Sequence, residues 1–234
     1  MQLSFVNGYA DYLYFCYMHS YTEENYLKAL FNLANGKGEV SANELSKKLD
    51  IKMPTVNSMM KKLADKKLVH YESYKPLKLT EKGKKEAGLI IRKHRLTEMF
   101  LVQKMGFGWE QVHEIAEQIE HLDAPDFFER MDEMLGYPTI DPHGSPIPDK
   151  TGKISWKHYD KISDCKAGDQ VVLAAVINGS DEFFKFLTSR QLRLGVAIKV
   201  KAVEAFDGSM QLSYNKRTET ISHTVAERLL VERQ

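Results

Sequence analysis

Six side chains between residues 94 and 121 offer the most definite chemistry in this sequence: His94, Glu98, His113, Glu117, Glu120 and His121. Imidazole nitrogens and carboxylate oxygens are the donors of a site for a divalent first-row metal. At helical spacing His94 and Glu98 share a face as i and i+4, and His113, Glu117, Glu120 and His121 gather on one face of a second helix. Glu110, Glu114, Glu117 and Glu120 stack at intervals of three and four, and no Lys or Arg lies between Met105 and Glu129. Each like-charge pair at those spacings costs roughly 0.2–0.5 kcal/mol, a repulsion that a divalent cation relieves. A lone histidine on such a face is usually an ordinary core or surface residue. Two histidines and two glutamates on one stripe point to metal.

The elements that must position these groups can be read outward from them. Thr80 caps a long helix through Ala87, Ile90, Ile91, Met99 and Phe100, which carries His94 and Glu98 near its far end. Gly106 to Trp109 breaks the pattern before an acidic helix over 110–122, whose apolar stripe is Val112, Ile115, Ala116, Ile119 and Leu122. A further helix around Phe127 to Leu135 supplies apolar surface for a dimer. Residues 136–150 then hold four of the seven prolines in the chain and read as a linker or domain boundary.

Upstream, the formal net charge of +1 conceals a polarised layout. Residues 37–95 contain 16 Lys or Arg and 7 Asp or Glu, and residues 96–150 contain 3 and 12, giving local charges of +9 and −9. A salt-bridged surface is one source of such a division; a nucleic-acid surface beside a cation site is the other. The motifs favour the second. Ser20 or Thr22 caps a first helix bearing Leu27, Leu30, Phe31 and Ala34, which ends at Gly36 and Gly38. Ser41 and Glu44 form a capping box for a short helix, and Pro54 opens another with Val56, Met59, Met60 and Leu63 inward. Thr55, Asn57, Ser58, Lys61 and Lys62 face out. Two short helices joined by a tight turn have the layout of a helix-turn-helix, and a strand over 68–72 returning over 77–79 forms its wing.

Beyond Ile154 the period changes. Gln170 to Ile177, Val196 to Val203 and Met210 to Tyr214 read as strands, with a hairpin turn at Asp207-Gly208 and a short helix over Asp181 to Thr188. The fold class is therefore mainly α with an α+β component: a winged helix-turn-helix, a helical dimerisation domain and a small β-barrel. Cys16 and Cys165 are too few and too far apart for a disulfide framework or thiolate zinc site, so a reducing cytoplasm is expected. No run of 18 apolar residues suggests a membrane span. The first 17 residues lack Lys and Arg, unlike a signal peptide, and Met18 just ahead of the first helix is the expected start of translation.

Several short motifs are similar to the diphtheria-toxin-repressor and manganese-transport-regulator family of metal-dependent transcription factors. They are Thr-Glu-Glu-Asn-Tyr-Leu-Lys-Ala at 22–29, Pro-Thr-Val at 54–56, Leu-Thr-Glu-Lys-Gly at 79–83, Arg-Lys-His-Arg-Leu at 92–96, Glu-His at 120–121 and Asp-Pro-His-Gly at 141–144. The last part of the chain resembles that family's SH3-like, FeoA-like domain. After a leader over 1–19 that is expected to be disordered or untranslated, the domains are a winged helix-turn-helix DNA-binding domain over 20–82, a helical metal-binding and dimerisation domain over 83–140, a Pro-rich linker over 141–158 and the SH3-like domain over 159–234. The resemblance implies a primary metal site of Asn25, Glu117, Glu120 and His121. An ancillary site would use His94, Glu98 and His113, with Asp141, His143 and Asp181 as further donors. Iron-responsive members carry cysteine and methionine where this chain has Glu117 and Asn25; oxygen donors with one imidazole suit Mn²⁺, with Fe²⁺ as the alternative. Two-metal manganese members carry a carboxylate at the place of Lys28.

The expected function is a dimeric repressor of metal-ion homeostasis that binds a palindromic operator once metal is bound. Pro54, Thr55, Asn57 and Ser58 are the expected base contacts, and Lys52, Lys61, Lys62 and Lys75 the phosphate contacts. The rival from another class, a metal hydrolase built on the same His and Glu residues, lacks a His-Glu-x-x-His pairing or other catalytic signature. A winged-helix regulator that senses something other than metal is the second rival.

Overall fold

The computed structural model describes residues 20–34, 37–177 and 179–233. The expected start at Met18 and the leader lie outside the described residues. The described residues form two compact units, one of those between 20 and 93 with 120–126 and 148–153, the other of residues 94–119 and 127–147 with those described between 154 and 233.

The first unit begins with α1 (Tyr21–Ala34), α2 (Ala42–Leu49) and α3 (Met53–Asp65). Ser20 and Glu23 bond reciprocally across the first turn of α1. The Ser41–Glu44 capping box is present: the Glu44 N–H donates to Ser41 Oγ at 3.1 Å, and the Ser41 N–H to Glu44 Oε2 at 2.9 Å. Asp50 takes a left-handed conformation to end α2, and Pro54 sits in the first turn of α3. The wing is a hairpin of β1 (Val69–His70) and β2 (Lys78–Leu79), shorter than the expected strands, extended by an isolated bridge between Val40 and Leu77. Tyr26, Leu27, Leu30, Leu45, Val56, Met60, Leu63 and Leu68 are all at most 1% exposed and form the core under the helix-turn-helix.

Thr80 caps α4 (Glu81–Met105) by accepting from the Gly83 N–H at 3.0 Å. Gly83 packs so closely that an added Cβ would lie 2.0 Å from the Leu68 carbonyl oxygen. In the second unit, α5 (His113–Ile119) and α6 (Pro125–Leu135) follow, the first two residues of α6 belonging to the first unit. The acidic helix is shorter than the expected 110–122: Glu120 and His121 lie in a turn beyond its end. Leu96, Phe128, Met131 and Ile147 form a small core.

The C-terminal part is one antiparallel sheet in the order β3-β8-β4-β5-β6-β7, of β3 (Asp160–Lys161), β4 (Gln170–Val176), β5 (Ala197–Val203), β6 (Met210–Tyr214), β7 (Arg217–Ile221) and β8 (Leu229–Arg233). Register shifts between Leu173 and Ala175 and between Val200 and Ala202 mark bulges, which bend strands in small barrels. Helices α7 (Asp181–Ser189) and α8 (His223–Ala226) complete it. Its core includes Leu173, Leu187, Val200, Leu212 and Leu229, each fully buried. Among the described residues no helix is long and apolar enough to cross a membrane.

Candidate metal centres and DNA-reading surface

In the first unit, the start of α1 meets the turn that holds Glu120 and His121. Glu24 Oε2 lies 2.5 Å from His121 Nδ1, and Lys28 Nζ donates to Glu120 Oε1 at 2.6 Å. Glu120 Oε1 is also 3.3 Å from His121 Nε2. The Tyr21 ring covers His121 at 3.8 Å between centroids. Glu120 is fully buried. Next to Glu24 in sequence, Asn25 has a buried Oδ1 with no hydrogen-bond partner. A buried carbonyl oxygen left without a donor costs about 1–3 kcal/mol, and coordination to a cation would satisfy it. The carboxylates and imidazole brought together here fit a divalent ion that accepts oxygen and nitrogen.

The same stretch of α1 also holds α3. Glu23, 1% exposed, receives Lys66 Nζ at 2.9 Å and Lys62 Nζ at 3.2 Å. Burial opposes its ionisation, but the lysines and the Ser20 N–H outweigh that and hold its pKa below the ordinary glutamate value.

The second unit contains a ring of donors centred on Glu98, which is 2% exposed. His94 Nε2 is 3.0 Å and His113 Nδ1 3.4 Å from Glu98 Oε1, and His143 Nδ1 is 3.6 Å from Oε2. Ligand atoms of His94, Glu98 and His113 lie within 4.8 Å of one another, as do those of Glu98, Asp141 and His143. Burial acts to raise the Glu98 pKa, yet the three imidazoles override it and keep the carboxyl ionised well below its ordinary range. For His143, burial disfavours the charged form, and Glu98 and Asp141 reverse that and raise its pKa. His143 Nε2–H donates to the Trp109 carbonyl at 2.8 Å, which leaves Nδ1 of the neutral ring facing Glu98. Asp141 Oδ1 accepts from the backbone N–H groups of His143 and Ser145 at 2.8 and 2.9 Å, which fixes the 141–145 turn. Arg95 lies against the same turn, Nε 3.4 Å from Asp141 Oδ2 and Nη1 donating to the Pro146 carbonyl.

The barrel closes onto this ring. Phe184 of α7 stacks on His143 at 4.4 Å, and Trp109 Nε1–H donates to Thr188 Oγ1 at 2.8 Å.

On the reading head, Lys52, Pro54, Thr55, Ser58 and Lys61 are exposed and Asn57 partly so. A groove of about 500 Å³ runs between α3 and the wing, lined by Asn43, Asn57, Lys61, Tyr74 and Lys75 among others. Lys62 is drawn to Glu23, and Lys75 pairs with Glu72 at 2.8 Å.

Residues 18–77 match a family model described as the iron dependent repressor N-terminal DNA binding domain, 80–149 the iron dependent repressor metal binding and dimerisation domain, and 161–233 the FeoA domain. The chain is 35% identical over 127 residues to the iron-dependent repressor IdeR of Mycobacterium tuberculosis; the match covers 54% of this chain and 55% of that protein, about half its length. A manganese-dependent transcriptional repressor solved in complex with manganese is similar with a TM-score of 0.81 at 27% identity, over 91% of this chain and all of that one. ScaR with bound Cd²⁺ is 30% identical with a TM-score of 0.76, over 91% of this chain and 99% of that one. The chain belongs to the iron-dependent repressor family.

Within this family member, sequence reading and structure coincide on some residues and part on others. His94, Glu98 and His113 come together, and His143 and Asp141 join them. Among the described residues Asp181 is not part of either Glu98-centred cluster; it occupies the first turn of α7, behind the Ser180 cap, while Phe184 faces His143. Glu117 stays on α5, its Oε1 3.7 Å from His113 Nε2. Three residues escaped the sequence reading. Glu23 and Glu24 enter it only within the 22–29 motif, and Arg95 only within the 92–96 motif. An acid on the apolar face was the available signal, since Glu23 stands at i−4 and i−7 from Leu27 and Leu30.

Proposed function

We propose that the protein is a homodimeric transcriptional repressor of metal-ion homeostasis whose binding to a palindromic operator requires Mn²⁺. The observation that carries this reading is the meeting of Glu24 and Lys28 on α1 with the Glu120–His121 turn, inside the unit that bears the reading head, with the buried Asn25 Oδ1 next to Glu24 in sequence left without a hydrogen-bond partner. In the primary centre, Asn25, Glu120 and His121 hold the ion, with Glu24 beside them and Glu117 added from the sequence pattern. When bound, the ion supplies positive charge that links these donors. α1 then has a fixed position, and Glu23 carries that position to Lys62 on α3 and to Lys66 at its C-cap. The recognition helices of a dimer must reach successive major-groove faces, so their placement selects the DNA-binding state.

His94, Glu98 and His113, with His143 and Asp141, form the ancillary centre. Pro54, Thr55, Asn57 and Ser58 read bases; Lys52, Lys61 and Lys75 hold phosphates, and Lys62 does so in exchange for Glu23. The domain limits at 20–82, 83–140, 141–158 and 159–234 belong to this reading, as does a cytoplasmic location. Manganese is favoured by the oxygen-rich donors, and the similarity to IdeR keeps Fe²⁺ as the second reading.

The test is fluorescence anisotropy of a palindromic duplex, recovered by selection from random DNA in Mn²⁺, under anaerobic titration with Mn²⁺ and Fe²⁺. Wild type should bind DNA at lower free Mn²⁺ than free Fe²⁺, and Glu117→Cys should narrow or reverse that order. A response to Fe²⁺ alone overturns the manganese assignment, and DNA binding indifferent to chelator overturns the metal switch.

A further inference from the structure

We propose that Lys28 is a built-in competitor for the Glu120 carboxylate, which raises the metal concentration at which the primary centre loads. The inference rests on the reading that Glu120 and His121 hold metal, and it concerns what the chain does with those groups when no metal is there.

Lys28 lies on α1 one turn beyond Glu24, and its side chain is only 14% exposed. Its ammonium donates at 2.6 Å to Glu120 Oε1, and the Glu120 side chain is fully buried. An ionised carboxylate removed from water needs a cationic partner, and removing one member of such a pair leaves an uncompensated buried charge. Lys28 is therefore the partner that holds the buried Glu120 side chain in place in the metal-free protein. The same Oε1 lies 3.3 Å from His121 Nε2, and His121 Nδ1 meets Glu24. Glu24, Glu120 and His121 Nδ1 are thus already engaged in the metal-free protein, whereas the buried Asn25 Oδ1 and His121 Nε2 have no hydrogen-bond partner.

A divalent ion on Glu120 and an ammonium at hydrogen-bond distance from the same carboxylate repel each other, and the low local dielectric strengthens that repulsion. Loading the centre requires the ammonium to withdraw or the ion to bind against its field. By linkage, an ion pair that stabilises the metal-free site must lower its affinity for metal. A purely positioning lysine predicts the opposite: without it Glu120 would wander and metal would bind more weakly. The sign of one affinity change therefore decides between the two roles.

The experiment measures Mn²⁺ binding to the full chain without DNA, by loss of the free aqueous Mn²⁺ signal in electron paramagnetic resonance, in a Glu98→Gln background that silences the ancillary centre. Lys28→Met should lower the melting temperature of the metal-free protein, bind Mn²⁺ at least tenfold more tightly than the parent and show a larger Mn²⁺-induced rise in melting temperature. Lys28→Arg, which keeps the charge, should stay within about threefold of the parent. Should Lys28→Met fail to fold without metal, Lys28→Gln keeps a donor for Glu120 and should shift affinity in the same direction. Equal or weaker Mn²⁺ binding in the uncharged variants overturns the proposal. Parent binding that survives Glu120→Gln overturns the assignment of the centre itself and the proposal with it.

Discussion

Glu98 and Glu86 are both buried carboxyl groups on α4, 2% and 6% exposed, and their surroundings send them in opposite directions. Three imidazoles around Glu98 outweigh its burial. Glu86 has no such ring: its Oε1 lacks a hydrogen-bond partner, and burial, opposed by Lys82 and Lys85 and reinforced by Glu24, pushes its pKa up to about 7. The unfolded chain releases this proton near the ordinary glutamate value, so between there and about pH 7 the folded state holds more protons than the unfolded state. Stability therefore falls as pH rises through that window, and the penalty is complete above it. Glu86→Gln removes the penalty. It should stabilise the protein by on the order of 3 kcal/mol at pH 8 and by almost nothing at pH 4. Urea denaturation at the two pH values checks this, and an equal effect at both contradicts it.

Among the elements, those whose signals are local were legible in the sequence. Ser41 and Glu44 announce α2 because both partners of the capping box lie within one turn, and Ser41→Ala should cost about 1 kcal/mol in the urea midpoint of the winged-helix unit. The end of α5 was not legible, because what replaces its last turn lies far away in sequence. Glu120 and His121 leave the helix to meet Lys28 and Glu24, partners 92 and 97 residues distant, and Pro125 follows closely. Periodicity in Ile115, Ile119 and Leu122 continues past that point and misplaces the boundary. Strands β7 and β8 were missed for a related reason: Arg-Thr-Glu-Thr-Ile has one fully buried side chain, and only its pairing with β6 makes it a strand. Gly83 shows how a residue of low helix propensity can be required inside a helix. Gly83→Ala places a methyl group 2.0 Å from the Leu68 carbonyl, so α4 must move off the wing. A loss of roughly 1–3 kcal/mol is expected, against the small gain that alanine gives in an open helix. An unchanged or raised urea midpoint would show that the wing yields without cost.

At the scale of the whole molecule, the unlike construction of the two proposed metal centres predicts that stability and DNA binding respond separately to metal. The Glu98 ring is closed by His94, His113, His143 and the fixed 141–145 turn, and Phe184 and Thr188 of the barrel pack on His143 and Trp109. Metal there adds to an assembly that is already internally paired, and its effect should be felt as stability of the second unit. The centre at Glu120 and His121 touches α1, which carries Glu23 and through it the lysines of α3, so metal there should be felt in DNA binding. Glu98→Gln should therefore retain Mn²⁺-dependent operator binding while losing most of one Mn²⁺-induced stabilisation, worth about 2.7 kcal/mol at a hundredfold excess over Kd. Glu120→Gln should do the reverse, leaving that stabilisation and abolishing the Mn²⁺ response in anisotropy. The residual, metal-independent binding of Glu120→Gln should be electrostatic, because the basic 37–95 stretch is intact. Its affinity should fall steeply with salt, and a further Lys61→Ala should reduce the slope of log K against log salt by about 0.9 if that ammonium neutralises one phosphate. Loss of the Mn²⁺ response in both single variants would mean that the two centres act as one, and the division of labour argued from their construction would fall.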